Sequence, residues 1–379
     1  MGKTPHITFL DYILNFPASP ASQPTNRESD PTMQETTPVK DSGATTLRAR
    51  VAEFQRPILA RSLMQVATSF GGFIGLCAAM YFTLDVSYWL TLALGLVAAG
   101  FLVRIFIIQH DCGHGSFFSS RRANDILGRV CSLATLTPYS AWRKGHAVHH
   151  GVWNDLDRRT GGIDFYSSCL TVAEYRALSA RDRLVYRVTR HPIVANLILP
   201  PLVFLVLYRT NYGTPKTWRR ERRDVYATNI ALAVAAVGLG LLLGFGPAAA
   251  VQLPVVAFAA IIGVWLFSVQ HRFEDTHWAS DGQWNFTQAA LQGSSYLRLP
   301  RVLQWFTGNI GFHHVHHLSP RIPNYRLQDC VQTIDALKEA PSLTLWTGLK
   351  AMWFVLWDEE RGRMVTFANA RPGSAGKGA

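Results

Sequence analysis

The sequence predicts an all-α membrane protein: four transmembrane helices in two hairpins, with a cytoplasmic helical cap rich in histidine. Three observations predict it. Charge is scarce, the apolar residues gather into membrane-length blocks, and nine of the thirteen histidines fall in three short windows. Only 16% of the 379 residues are charged, against roughly 25% in a typical soluble protein. The five cysteines include no CxxC pair, so neither a disulfide framework nor a thiolate zinc site is indicated. The first residues include Asp11 and lead into polar sequence, which is not the pattern of a cleaved signal.

Residues 17–46 are rich in Pro, Ser, Thr and acids and too poor in apolar residues to form a core, so 1–50 is expected to be a disordered cytoplasmic tail. Residues 51–360 form the expected membrane-embedded domain, and 361–379 a flexible C-terminal tail. The first span is expected over about 62–84, because no charge occurs between Arg61 and Asp85. As a helix that stretch crosses a hydrocarbon core of roughly 30 Å. The second span, 87–109, is apolar except for Arg104, and the link TLDVS before it permits only a tight hairpin. From Val225 to His271 there is no Asp, Glu, Lys or Arg, and the break at Gly244 to Pro247 divides the run into spans at 225–245 and 249–270. The run from Pro192 to Tyr208 is shorter and interrupted by Pro200 and Pro201, which suits a re-entrant or surface-lying segment better than a fifth crossing.

The charges assign the sides. Eighteen of the 37 Lys and Arg lie between His110 and Val225, while the hairpin links TLDVS and GFGPAAA contain none. By the positive-inside rule the central segment and both termini are cytoplasmic. The net charge of +12 is then a topology signal matched to an anionic membrane surface, and nucleic acid is not an expected partner.

The histidine windows are HDCGH at 110–114, HAVHH at 146–150 and HHVHH at 313–317. Residues three and four apart share a helix face. His110 with His114, His146 with His149 and His150, and His313 with His316 and His317 can therefore each aim imidazoles at one point. His314 faces elsewhere and reads as structural or as an outer partner. Eight nitrogens are too many for one ion and imply two metals sharing a site. Structural histidines at a membrane interface would account for one such pair but not for three clusters on one side. A soluble di-iron protein would need paired Glu-x-x-His motifs, and only Glu274 to His277 matches.

The ordered set H-x3-H, H-x2-H-H and H-x2-H-H, interleaved with two hydrophobic hairpins over residues 60–330, resembles the integral-membrane fatty acid desaturase family. The segments VQHRFEDTHW at 269–278 and GNIGFHHVHHLSPRIPNY at 308–325 are similar to its acyl-lipid branch, which includes the delta-12 and omega-3 enzymes. That branch usually carries HECGH in the first box, where this chain has Asp111. The resemblance implies a further ligand at the end of the fourth span, here His271, and two iron ions held by His110, His114, His146, His149, His150, His271, His313, His316 and His317. It implies O2 as co-substrate, sequential hydrogen abstraction from an acyl lipid or acyl thioester, and a cis double bond as product. His191 is followed by Pro-Ile-Val and does not match the haem motif of a fused cytochrome b5, so two electrons are expected from a separate ferredoxin or cytochrome b5. The implied setting is a multi-pass protein of the cell inner membrane or endoplasmic reticulum.

Metal-bound histidines normally donate their other N–H to carboxylates or carbonyls. Asp111, Asp155, Asp157, Glu274 and Asp275 are near enough in sequence to serve, His277 is a candidate ligand or outer partner, and Asn309 a candidate for orienting the third box. Trp142, Arg143 and Lys144 are candidates for a lipid headgroup or for interfacial anchoring. No residue of the acyl tunnel can be singled out. A hydroxylase, ketolase or acetylenase on the same scaffold is the alternative activity. A non-enzymatic metal carrier would expect polar residues within the spans, and the run from Val225 to His271 lacks charged ones.

Overall fold

The computed structural model describes residues 42–159, 165–211, 213–280 and 282–370. The tail expected over 1–50 therefore lies outside the described residues as far as residue 41. From Ser42 the chain is helical: α1 (Ser42–Ala52) places Val51 in the core. The rest builds on four long helices, α2 (Leu59–Thr83), α3 (Tyr88–His114) and, after a long insertion, a second pair. The insertion holds α4 (Arg121–Thr135), α5 (Tyr139–Val152), α6 (Ala180–Thr189) and α7 (Leu199–Leu205). The second pair is α8 (Arg219–Leu243) and α9 (Phe245–Val269). Beyond it come α10 (Phe286–Gln292), α11 (His313–Leu318) and α12 (Asn324–Thr333).

Four helices, α2, α3, α8 and α9, are long and apolar enough to cross a membrane. At 25 to 27 residues each measures about 37–40 Å, more than the roughly 30 Å hydrocarbon core requires. Their outer faces carry exposed large apolar side chains, among them Leu63, Met64, Phe82, Trp89, Ile230, Val234, Leu241 and Leu242, an arrangement that suits a lipid environment. Both hairpins fall where the charge pattern puts them. α3 is the packed centre, touching α2, α4 and α9, and its charged exception, Arg104, is buried with its guanidinium donating to the Trp305 carbonyl and lying 4.0 Å over that ring. α3 ends at Gly115, whose φ of 69° is the left-handed cap that releases the chain into the cap region.

The segment 180–209 is a bent pair, α6 and Val194–Arg209 at 56° to each other, with a π turn at Val194–Ile198 ahead of Pro200 and Pro201. It packs on α9, and counting it as one broken span would make five. Short strands were not expected. β1 (Leu170–Thr171) pairs parallel with β4 (Leu356–Asp358), which pairs antiparallel with β5 (Arg363–Val365), and β2 (Tyr296–Arg298) pairs parallel with β3 (Ser342–Thr344). β5 lies inside the stretch 361–379 expected to be flexible. Met364 and Val365 are buried and hold it on the cap, while 371–379 lie outside the described residues.

Candidate metal centre

The last turn of α3 points His110 and His114 out of the membrane span into the cap, where α5, α11 and the residue pair following α9 meet it. Two groups of nitrogens result. One ligand atom from each of His110, His114, His146, His150 and His316 lies within 4.8 Å of every other, and the same holds for His149, His271 and His317. Within the first group, the Nε2 of His316 is 3.1 Å from that of His110 and 3.0 Å from that of His150, which is 3.2 Å from that of His146. His313 joins the second group through Nε2 separations of 2.9 Å to His271 and 3.1 Å to His317. The His150 and His317 rings, stacked at 4.2 Å, link the two.

Such a donor set fits transition metal ions. Burial holds His146, His150, His271, His313, His316 and His317 well below the usual imidazole range, and the neighbouring rings push in the same direction. The rings are therefore neutral at physiological pH and their lone pairs are free to bind. The buried Nε2 of His114 has no hydrogen-bond partner. Buried polar atoms left so are rare, and imidazole nitrogens crowded at about 3 Å, with no carboxylate among them, suit zinc, copper, iron or nickel. Histidine clusters here can hold a metal.

Around the rings the sequence candidates separate. Asp111 is buried, its Oδ1 3.1 Å from His110 Nδ1, and its Oδ2 accepts from the Asn324 backbone N–H at 2.7 Å and side-chain amide at 2.9 Å. Asn324 in turn accepts from Gln65 on α2, so first box, third box and first span are tied together. Replacing Asp111 with Asn should lower metal affinity about 10–100-fold, the range for an outer partner of a metal-binding histidine. Titration of the apo protein with a chromophoric competitor checks it, and unchanged affinity would show that the carboxylate does not orient His110.

Asp157 is exposed, and the buried acid of that turn is Asp155, whose Oδ1 accepts the backbone N–H of Asp157 and Arg158 while Oδ2 pairs with the Arg158 guanidinium at 2.6 Å. Local turn chemistry thus claims the Asp155 carboxylate. Glu274 and Asp275 are exposed, Glu274 pairing with Arg363. His277 is in neither nitrogen group, and its carbonyl accepts from Asn154. Asn309, at φ 57°, follows Gly308 at φ 54°, and a Cβ at Gly308 would come within 2.8 Å of Ile107. Asn309 bonds to the Asn324 carbonyl and to Gln304, shaping the turn that leads into the third box. His314 turns away and lies 3.0 Å from the Leu337 carbonyl, its pKa pushed down to about 4 by burial. Arg143 and Lys144 pair inside the protein with Asp125 and Glu221, and Trp142 stacks on His146 at 4.8 Å.

Trp142 also lines a feature the sequence did not reveal. A cavity of about 380 Å³ runs between α3, α5, α7 and α9, walled by Leu102, Phe106, Val203, Phe204, Ala260, Gly263 and Phe267. Its lining includes His110, His146 and His313, members of both nitrogen groups, and the exposed residues of that lining are Thr210, Gly213 and Pro215.

The family model for fatty acid desaturases matches residues 87–347, well over half of the chain. The chain belongs to the fatty acid desaturase family. It is an oxidoreductase, and its four long helices make it a membrane desaturase. A fatty acid desaturase of Bacillus subtilis is 46% identical over 321 residues, covering 85% of this chain and 90% of that protein. An sn-1 oleoyl-lipid 12-desaturase of Synechocystis is 26% identical over 269 residues, 68% of this desaturase and 70% of that protein. An sn-1 acyl-lipid omega-3 desaturase (ferredoxin) of the same organism is 27% identical over 246 residues, 61% and 63%. Asn324 and the cavity wall are the functional features that sequence reasoning missed. Asn324 stood within the GNIGFHHVHHLSPRIPNY segment, but nothing local marked it as the partner of Asp111.

Proposed function

We propose that the desaturase inserts a cis double bond into an acyl chain lying in this cavity, at two irons held by His110, His114, His146, His150 and His316 on one side and His149, His271, His313 and His317 on the other. The observation that carries the reading is that a largely apolar cavity of about 380 Å³ is lined by histidines of both groups. The irons would supply the activation of dioxygen needed to break unactivated C–H bonds. The protein's part is geometric. Trp142, Phe106 and Phe267 wall the chain beside the rings and keep water away, and Asp111 and Asn324 fix the orientation of His110. Acyl chains borne on lipid or thioester, a ferredoxin or cytochrome b5 type donor, and a cytoplasmic cap with both termini on that side complete the reading. The ferredoxin named with the Synechocystis relative and the positive-inside count support these assignments. Expression in a host with a simple lipid profile tests the activity: methyl-ester analysis should show new monoenoic or dienoic acids. Hydroxy or keto products without a new double bond would contradict it.

A further inference from the structure

One aromatic path leads from the metal centre to the surface without touching the cavity. Trp153, buried, lies 4.4 Å from the His317 ring and 6.1 Å from that of His150. Its other face meets Trp284 at 5.5 Å and Phe286 at 5.3 Å, and the Trp284 indole N–H donates to the Trp153 carbonyl at 3.0 Å. Trp284 and Phe286 are half-buried in a turn whose neighbours Gly282, Gln283 and Asn285 are exposed. Cations cover both rings: Arg48 lies 5.4 Å over Phe286 and Arg158 5.1 Å over Trp284. Arg158 shares its charge with Asp155, whereas Arg48 and the nearby Arg50 are exposed on α1, Arg50 donating to the Thr333 carbonyl. Arg48 and Phe286 also line a surface cleft floored by Leu318 and Ser319, the residues after His317.

We propose that an acidic one-electron carrier protein docks on this face, over Arg48, Trp284 and Phe286, and that its electrons reach the metal centre through Trp153 and His317. The inference rests on the desaturase reading and names the entry point of that reaction's reductant. Removing two hydrogens from the acyl chain supplies two of the four electrons that reduce dioxygen to two waters. Two carriers, each oxidised by one electron, supply the others, with two protons from solvent. The rings are a contiguous bridging medium and are themselves neither oxidised nor reduced. Trp142 stacks as closely on His146 but lines the acyl cavity, so entry there would compete with substrate. Positive charge at the rim steers an acidic partner and sets the association rate more than the affinity.

The test uses the full-length iron-loaded enzyme, a reduced [2Fe–2S] ferredoxin followed at its own absorbance, and variants Trp284→Leu, Trp284→Phe and Arg48→Glu. Trp284→Leu should lose the fast phase of ferredoxin oxidation, and Trp284→Phe should keep most of it. Arg48→Glu should slow ferredoxin association about 3–10-fold at low salt, an effect that fades as salt screens it. All three variants, pre-reduced with dithionite and mixed with oxygenated substrate, should form as much product in one turnover as the wild type. Ferredoxin oxidation and association rates that stay at wild-type values in Trp284→Leu and Arg48→Glu would overturn the proposal. Absence of product from dithionite-reduced wild type would overturn the desaturase reading and this inference with it.

Discussion

Replacing His146 with alanine should abolish double-bond formation and strip metal from the first nitrogen group. The His146 ring faces His110, His114 and His150 at 4.6–4.9 Å and stacks on Trp142 at the end of the cavity, so its loss removes a nitrogen ligand and one wall of the site together. Outer partners alone cost about 10–100-fold in affinity or activity, and a direct ligand should cost more. Activity by methyl-ester analysis and metal content of the purified variant are read together. The protein should stay folded, because the core under the cap is built by Trp153, Phe312, Val315 and Leu327. A variant that keeps wild-type activity would mean that His146 holds no metal.

The second large effect concerns chain length. Val256, Ala260, Gly263, Val264, Phe267 and Gln270 line the cavity at helical spacing, one face of α9, and Gly263 lies at the middle of that stripe. A Cβ built there meets no atom within 4 Å, so a side chain at this position starts in open space on the cavity-lining face. Position 263 is about 12 Å along the helix from His271. Gly263→Phe should therefore leave the histidines and iron content intact while excluding chains that extend past this point. Discrimination against the longest accepted chain should be about 10-fold or more, the range that a few buried atoms produce in an apolar pocket. Product profiles with a series of chain lengths check it. Equal loss at all lengths would show that the chain does not pass Gly263.

Much of this was legible in the sequence for identifiable reasons. The spans could be read because lipid tolerates no run of charges, and the helices at Leu59–Thr83, Tyr88–His114, Arg219–Leu243 and Phe245–Val269 lie within a few residues of the charge-free stretches. Arg219–Leu243 begins earlier than expected because the charged residues Arg219 to Asp224 form its first turns. The convergence of His110 with His114, and of His146 with His150, follows from spacing along a single helix. Long-range partners carry no such local signal. Asp111 meets Asn324 across more than two hundred residues, while Asp155, just beyond the second box, is held by its own turn. The cavity wall was hidden for a compositional reason. An Ala or Val facing a tunnel and one facing lipid are the same residue in an apolar stretch, and only packing against α7 separates Ala260 from Leu253.

The central claim is that these two nitrogen groups hold two irons. Quantitative metal analysis of the active, purified protein tests it most directly: the account predicts two irons per chain, falling together with activity on chelation and returning with ferrous iron. Full activity with one metal ion per chain, or with no iron, would contradict it.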